Sequence, residues 1–146
     1  MIDIWWGLVE KIAKKYEWQG YEQIFKVMKR SNLKIIPVFS FHQCSWNIGD
    51  TVDIPIPKFV FENDIKPYFV DKFGQTNNEY ISFSYDSVKL GDRTPLEMYR
   101  DFMIKFVQFT KQMHNDFENK LDILNEKTKL IEQENSNCLN CLYNFI

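Results

Sequence analysis

Cysteine is scarce. Three in 146 residues are too few and too unevenly placed for a disulfide framework, so a reducing compartment such as the cytosol is the default. Long apolar runs are missing as well, and none approaches the ~20 residues that cross a bilayer, so no membrane association is expected. The opening Met1-Ile2-Asp3-Ile4-Trp5-Trp6 carries neither a basic stretch nor a small-residue cleavage site, and no signal peptide is expected. Positive charge is not in excess. The net charge of −2 offers no global attraction to nucleic acid. Histidine is limited to His42 and His114, and the zinc-knuckle spacing of Cys138-Leu139-Asn140-Cys141 lacks the second pair that four ligands require. No metal or other cofactor is expected.

What is present in quantity is aromatic surface: 13 Phe, 7 Tyr and 4 Trp make up 16% of the chain. Such a share fits a large core, and it equally fits a carbohydrate site, where flat rings stack on sugar faces. With 45% hydrophobic and 26% charged residues the composition is globular, and the length suits one domain.

Asp3 stands between Ile2 and Ile4 in what reads as the end of a strand. Tyr21 to Arg30 reads as a helix, with Tyr21, Ile24, Phe25 and Met28 at three- and four-residue spacing. Ser31-Asn32 is its expected stop, because Asn tolerates the left-handed conformation. Leu33 to Phe41 is continuously apolar, the pattern of a strand covered on both faces in a parallel sheet. Strand, helix, strand makes one β-α-β unit. Ile54-Pro55-Ile56-Pro57 predicts extended loop or edge, Lys58 to Asn63 a short helical turn, and Glu79 to Ser84 a short strand after a turn at 71–78. Thr94-Pro95-Leu96-Glu97 is a capping box with proline at the first helical position. The helix behind it carries Tyr99, Phe102, Met103, Phe106, Phe109, Met113 and Phe117 on one face, then thins into a polar segment.

The stretch that looks functional is Ser40-Phe41-His42-Gln43-Cys44-Ser45-Trp46-Asn47-Ile48-Gly49-Asp50. A buried strand that ends in histidine and opens into a polar, glycine-containing loop is where an α/β protein usually places ligand contacts. On residue type alone His42 is more often a satisfied buried histidine than a ligand contact, and Asp50 fits a plain turn residue.

Several motifs in order resemble the β-amylases, the inverting glycoside hydrolases that release maltose from non-reducing ends of α-1,4-glucans. They are Asp3-Ile4-Trp5-Trp6-Gly7-Leu8-Val9-Glu10, Tyr16-Glu17-Trp18-Gln19-Gly20-Tyr21, Ser40-Phe41-His42-Gln43-Cys44 with Asn47-Ile48-Gly49-Asp50, then Ile54-Pro55-Ile56-Pro57-Lys58, Asn78-Glu79-Tyr80 and Gly91-Asp92-Arg93-Thr94-Pro95. The resemblance implies an α/β fold, a partial (β/α)8 barrel that covers roughly its second and third strands with their helices and a long lid loop, plus a long C-terminal helix. Residues 1–117 would be this partial glycoside hydrolase domain, and 118–146 a divergent polar tail, helical or disordered. It also implies that Asp3, His42 and Asp50 bind the sugar, with Asp3 and His42 at strand C-terminal ends and Asp50 carried by a lid over Ser45 to Asp53. The partner implied is an α-1,4-glucan or maltose.

The family usually has two glycines after the cysteine, where this chain has Ser45 and Trp46. The general-acid motif of the family, of the type Gly-x-x-Gly-Glu-x-Arg-Tyr-Pro, has no counterpart, since no glycine follows Gly91. Inverting hydrolysis needs two carboxyls about 6.5–9.5 Å apart, and neither is identified here, so no catalytic residue is assigned. The expectation is a β-amylase relative inactive by itself. A non-catalytic glucan-binding module and an unstable gene-model fragment remain open beside it, and the oligomeric state is undetermined.

Overall fold

The computed structural model describes residues 1–45, 51–62 and 64–143, with side chains in the last helix described through residue 130 and at Gln133. The chain forms two compact units, Met1–Val107 and Gln108–Ile146. The first is a partial α/β fragment that holds every strand among the described residues: β1 (Ile2–Trp5), β2 (Pro37–Ser40), β3 (Tyr68–Val70) and β4 (Thr76–Ile81). Its helices are the single turn α1 (Trp6–Val9), α2 (Gln19–Arg30) and residues 95–107 of α3 (Pro95–Tyr143), with 3₁₀ turns at Lys58–Phe61 and Phe83–Tyr85. The second unit is the continuation of α3 as an α-helix, on which Leu121, Ile123, Leu124 and Leu130 are all exposed.

β1 and β2 pair in parallel, Ile2 opposite Pro37 through Trp5 opposite Ser40. The Ile2 N–H donates to the Ile36 carbonyl at 3.1 Å. Alternation along a parallel ladder then turns the N–H and C=O groups of Ile2, Ile4 and Val38 towards the partner strand, and those of Asp3, Trp5 and Phe39 to the outer edges. The two edges are finished differently. On the β1 side, the Tyr21 hydroxyl of α2 accepts from the Trp5 N–H at 2.8 Å and donates to the Asp3 carbonyl at 3.0 Å. On the β2 side no described group bonds to Phe39.

The side-chain alternation separates two faces. Ile4, Trp6, Phe39 and Phe41 turn to the helices and form an aromatic core. Phe41 stacks on Tyr99 at 4.0 Å, Phe39 meets Phe102 and Phe106 edge-on at 6.0 and 5.2 Å, and Trp6 meets Tyr99 at 5.4 Å. Ile4, Trp6, Val9, Met98 and Phe102 are fully buried there, each large side chain contributing about 1.5–3 kcal/mol by leaving water. Asp3, Trp5, Val38, Ser40 and His42 occupy the opposite face.

The second strand is shorter than its apolar run suggests. Leu33 does not enter it, because its N–H donates to the Met28 carbonyl at 2.9 Å while the Asn32 N–H donates to Lys29 at 3.0 Å. With Asn32 at φ 53° this is a Schellman stop, so the run is spent partly on ending α2. Leu33 and Ile36 are 56% and 62% exposed, and Val38 is exposed as well: the predicted covering of both faces is not realised around a two-stranded sheet. Ile24 of α2, expected on the packed side, is exposed too. β4 starts three residues earlier than the alternation predicts and ends at Ile81, where Ser82 caps a 3₁₀ turn. It pairs antiparallel with β3, whose Tyr68-Phe69-Val70 carried no recognised strand pattern. The capping box forms as its sequence predicts: Thr94 Oγ1 accepts from the Glu97 N–H at 3.3 Å, and Glu97 accepts from the Thr94 N–H at 2.9 Å.

Candidate functional site

The side chains on the helix-free face of β1 and β2 are brought together by register. Asp3 lies opposite Val38, and its exposed carboxylate accepts from Ser40 Oγ at 3.2 Å, so it leans along the strands towards the loop that carries His42. His42 is exposed two residues beyond β2, and its ring meets that of Trp5 in an edge-on contact at 5.1 Å. Trp5 is opposite Ser40, which places the four side chains of Asp3, Trp5, Ser40 and His42 on one contiguous surface. Asp3 is thus within β1 rather than at its C-terminal end, where the resemblance puts it; the strand runs two residues further because Trp5 pairs with Ser40. Asp50 and Trp46 lie outside the described residues. The base of their loop is held by paired hydrogen bonds between Cys44 and Ile54, 2.9 and 2.8 Å, and by the buried Cys44 thiol, which donates to the Val52 carbonyl at 3.6 Å. The Gln43 N–H donates to the Glu79 carbonyl at 2.7 Å and ties the histidine segment to β4.

Two of these contacts were not visible in the sequence. Tyr21 was assigned to the apolar stripe of α2, yet its hydroxyl finishes the β1 edge directly behind Asp3 and Trp5; burial raises its pKa above the usual phenol value. Ser40 was only the first residue of a motif, and its reach to Asp3 depends on the ladder register.

The first unit also holds a buried ionic network. The Glu10 carboxylate is wholly buried and accepts from Trp6 Nε1 at 2.8 Å, the Lys14 N–H at 2.8 Å and Arg93 Nη2 at 2.5 Å. Arg93, whose side chain is 5% exposed, also donates to the Tyr16 hydroxyl at 3.2 Å and to Asp101 at 3.4 Å. Burial works against the Arg93 charge, but the hydrogen bond and charge of Glu10, followed by Tyr16, outweigh it and leave the guanidinium above its ordinary value. Burial first, then the Glu10 charge, pushes the Tyr16 phenol up to about 12. Arg93 Nε has no acceptor among the described residues and sits beside the Phe59 ring, which lies 5.8 Å from Cζ. The network joins the end of α1 to the start of α3. Glu10 and Arg93 both sat inside recognised motifs, but their type and position in the sequence carried no signal that they are buried or paired.

No group of three or more His, Cys, Asp or Glu side chains able to hold a metal occurs among the described residues, and no described helix is long and apolar enough to cross a membrane.

The family model of glycosyl hydrolase family 14 matches residues 1–117. The chain belongs to glycosyl hydrolase family 14. Among curated relatives, it is 45% identical over 111 residues to Beta-amylase 1, chloroplastic, of Arabidopsis thaliana, a match that covers 73% of this chain and 19% of that protein. It is 40% identical over 117 residues to Beta-amylase Tri a 17 of Triticum aestivum, covering 77% of this chain and 23% of the relative. Among solved structures, it is similar to the catalytic domain of beta-amylase from Paenibacillus polymyxa, with a TM-score of 0.48 and 32% identity over 55% of this chain and 20% of that one. The chain therefore spans about a fifth of the length of the family 14 relatives it matches.

Proposed function

We propose that this chain is the sugar-holding portion of a β-amylase-type (β/α)8 barrel, that it binds the non-reducing end of an α-1,4-glucan or maltose, and that alone it does not hydrolyse it. On this reading β1 and β2 correspond to the second and third strands of the barrel. Asp3 and His42 hydrogen-bond glucose hydroxyls, and Asp50 joins them from the loop above.

The observation that carries the reading is the surface shared by Asp3, Trp5, Ser40 and His42: a carboxylate held by Ser40 and an imidazole held against Trp5 on adjacent parallel strands. Exposed acceptors and donors beside an aromatic ring suit a sugar, whose hydroxyls need both and whose C–H faces need an apolar wall. Hydrolysis with inversion needs a general acid and a general base, set about 6.5–9.5 Å apart across the glycosidic bond. Among the described residues the one fully buried carboxylate of the first unit, Glu10, is committed to Arg93, Trp6 and Lys14. In a complete family 14 barrel, maltose release with inversion would take its acid and base from elsewhere in the fold.

The test is two measurements on the 146-residue chain. Incubation with soluble starch is expected to release no β-maltose, and clear release overturns the non-catalytic reading. Titration with maltose is expected to shift the His42 ring resonances, with the shift lost in Asp3→Asn. No change at millimolar maltose overturns the glucan reading itself.

A further inference from the structure

From Leu121 to Leu130 every residue of α3 is exposed, and Leu121, Leu124 and Leu130 stand 52%, 60% and 60% open to water. A helix draws most of its stability from packing an apolar face, and among the described residues the second unit is one helix with no second element of its own to pack on. The sequence of this helix has a strict period. Phe117, Leu121, Leu124, Thr128, Ile131 and Asn135 recur at alternating steps of four and three, and Cys138 and Leu142 continue the series. A period of 3.5 held over more than three heptads is the a/d repeat of a left-handed coiled coil. Leu121, Thr128 and Asn135 then take a positions, and Leu124, Ile131 and Cys138 take d.

We propose that residues 117–142 of α3 pair with the same segment of a second copy of this chain as a parallel, two-stranded coiled coil. The flanking charges select both the partner and the direction. Positions e hold Glu118, Asn125 and Glu132, while Lys120 and Lys127 lead the g positions. A parallel pair brings g of one helix to e of the other, so Lys127 meets the partner's Glu132 with opposite charge. An antiparallel pair sets e against e and g against g, acid on acid at Glu118 and Glu132 and base on base at Lys120 and Lys127. The polar a positions fit the same arrangement. The Thr128 hydroxyl donates to the Leu124 carbonyl at 3.0 Å, which leaves its methyl group for the seam. Asn135 is the kind of single polar a residue that fixes register, because in a parallel pair it lies opposite itself. Ile123 and Leu130 fall at c, outside the seam, as isolated exposed apolar residues do on most surfaces. The segment starts at the last residue matched to family 14, so the inference is independent of the glucan reading.

Sedimentation equilibrium of the full chain at tens of micromolar is expected to give twice the mass of one chain. Leu121→Lys/Leu124→Lys should return it to the mass of one chain. Ile123→Lys/Leu130→Lys adds the same charge off the seam and should leave the dimer intact. All four tryptophans lie within residues 1–46, so the tryptophan-detected urea midpoint follows the first unit and should be equal in the three proteins. Direction is read by oxidation with diamide. A parallel, in-register pair sets Cys138 at d beside the partner's Cys138, so a covalent dimer should form. It should be lost in Cys138→Ser and in Leu121→Lys/Leu124→Lys, and kept in Cys141→Ser. A single-chain mass overturns the proposal, and so does a dimer that survives Leu121→Lys/Leu124→Lys or dissociates equally in Ile123→Lys/Leu130→Lys. A covalent dimer that forms equally well in Cys138→Ser overturns the parallel register. Maltose-induced shifts at His42 are read in the same samples and report on the sugar site separately.

Discussion

Arg93→Leu is the perturbation with the largest expected cost. Among the described residues the substitution removes the only cation that touches Glu10, and Glu10 is fully buried. The carboxylate keeps two neutral donors, Trp6 Nε1 and the Lys14 N–H, both at 2.8 Å. Two neutral hydrogen bonds do not compensate a desolvated charge, and breaking one side of a buried pair costs about 3–5 kcal/mol. Tyr16 and Asp101 lose a donor at the same time, but both are partly exposed and can turn to water. For a urea slope of about 1–2 kcal/mol per molar, the midpoint should fall by roughly 1.5–5 M. In Glu10→Leu the orphaned group is the guanidinium, which retains Tyr16 and Asp101, so the loss should be smaller. The double variant Glu10→Leu/Arg93→Leu should recover much of the Arg93→Leu loss, because no buried charge is left unpaired. Urea unfolding followed by tryptophan fluorescence reads all three, since Trp6 touches Glu10 directly. An Arg93→Leu cost under about 1 kcal/mol, or a double variant as unstable as the sum of the singles, would refute the view that these two charges depend on each other.

Two further outcomes follow from close contacts and burial. Gly7→Ala should destabilise by roughly 1–3 kcal/mol, because a Cβ there would lie 1.9 Å from the Pro55 carbonyl oxygen, a backbone atom that cannot turn aside; equal urea midpoints for the two proteins would contradict it. At high pH the Tyr16 phenol, pushed up to about 12, favours the folded state while it is neutral. That stability is fully present below pH ~10, the unfolded phenol value, and is lost as pH rises from there through about 12. Thermal melting temperatures should therefore fall across this window, with a smaller fall in Tyr16→Phe; identical profiles would remove Tyr16 as the cause.

Local chemistry was readable from the chain by itself. The helix stop at Asn32 and the capping box at Thr94 are decided within a few residues by backbone hydrogen bonds, so composition at those positions specifies them. The motifs around Asp3 and His42 named the surface that the register then assembles. Strand limits were less legible, because an apolar run does not say how much of it has a neighbour: Leu33 went to the end of α2, and Ile36 remained exposed beyond the four-residue β2. Nor could sequence spacing pair Glu10 with Arg93, which are 83 positions apart, or aim the Tyr21 hydroxyl at the β1 edge. Those outcomes depend on the path of the chain between the partners. The preference of a short segment is carried by its own side chains. Whether a buried charge or a strand edge is satisfied is settled only when distant segments have packed together, and here that packing brings Arg93 to Glu10 and the Tyr21 hydroxyl to the β1 edge.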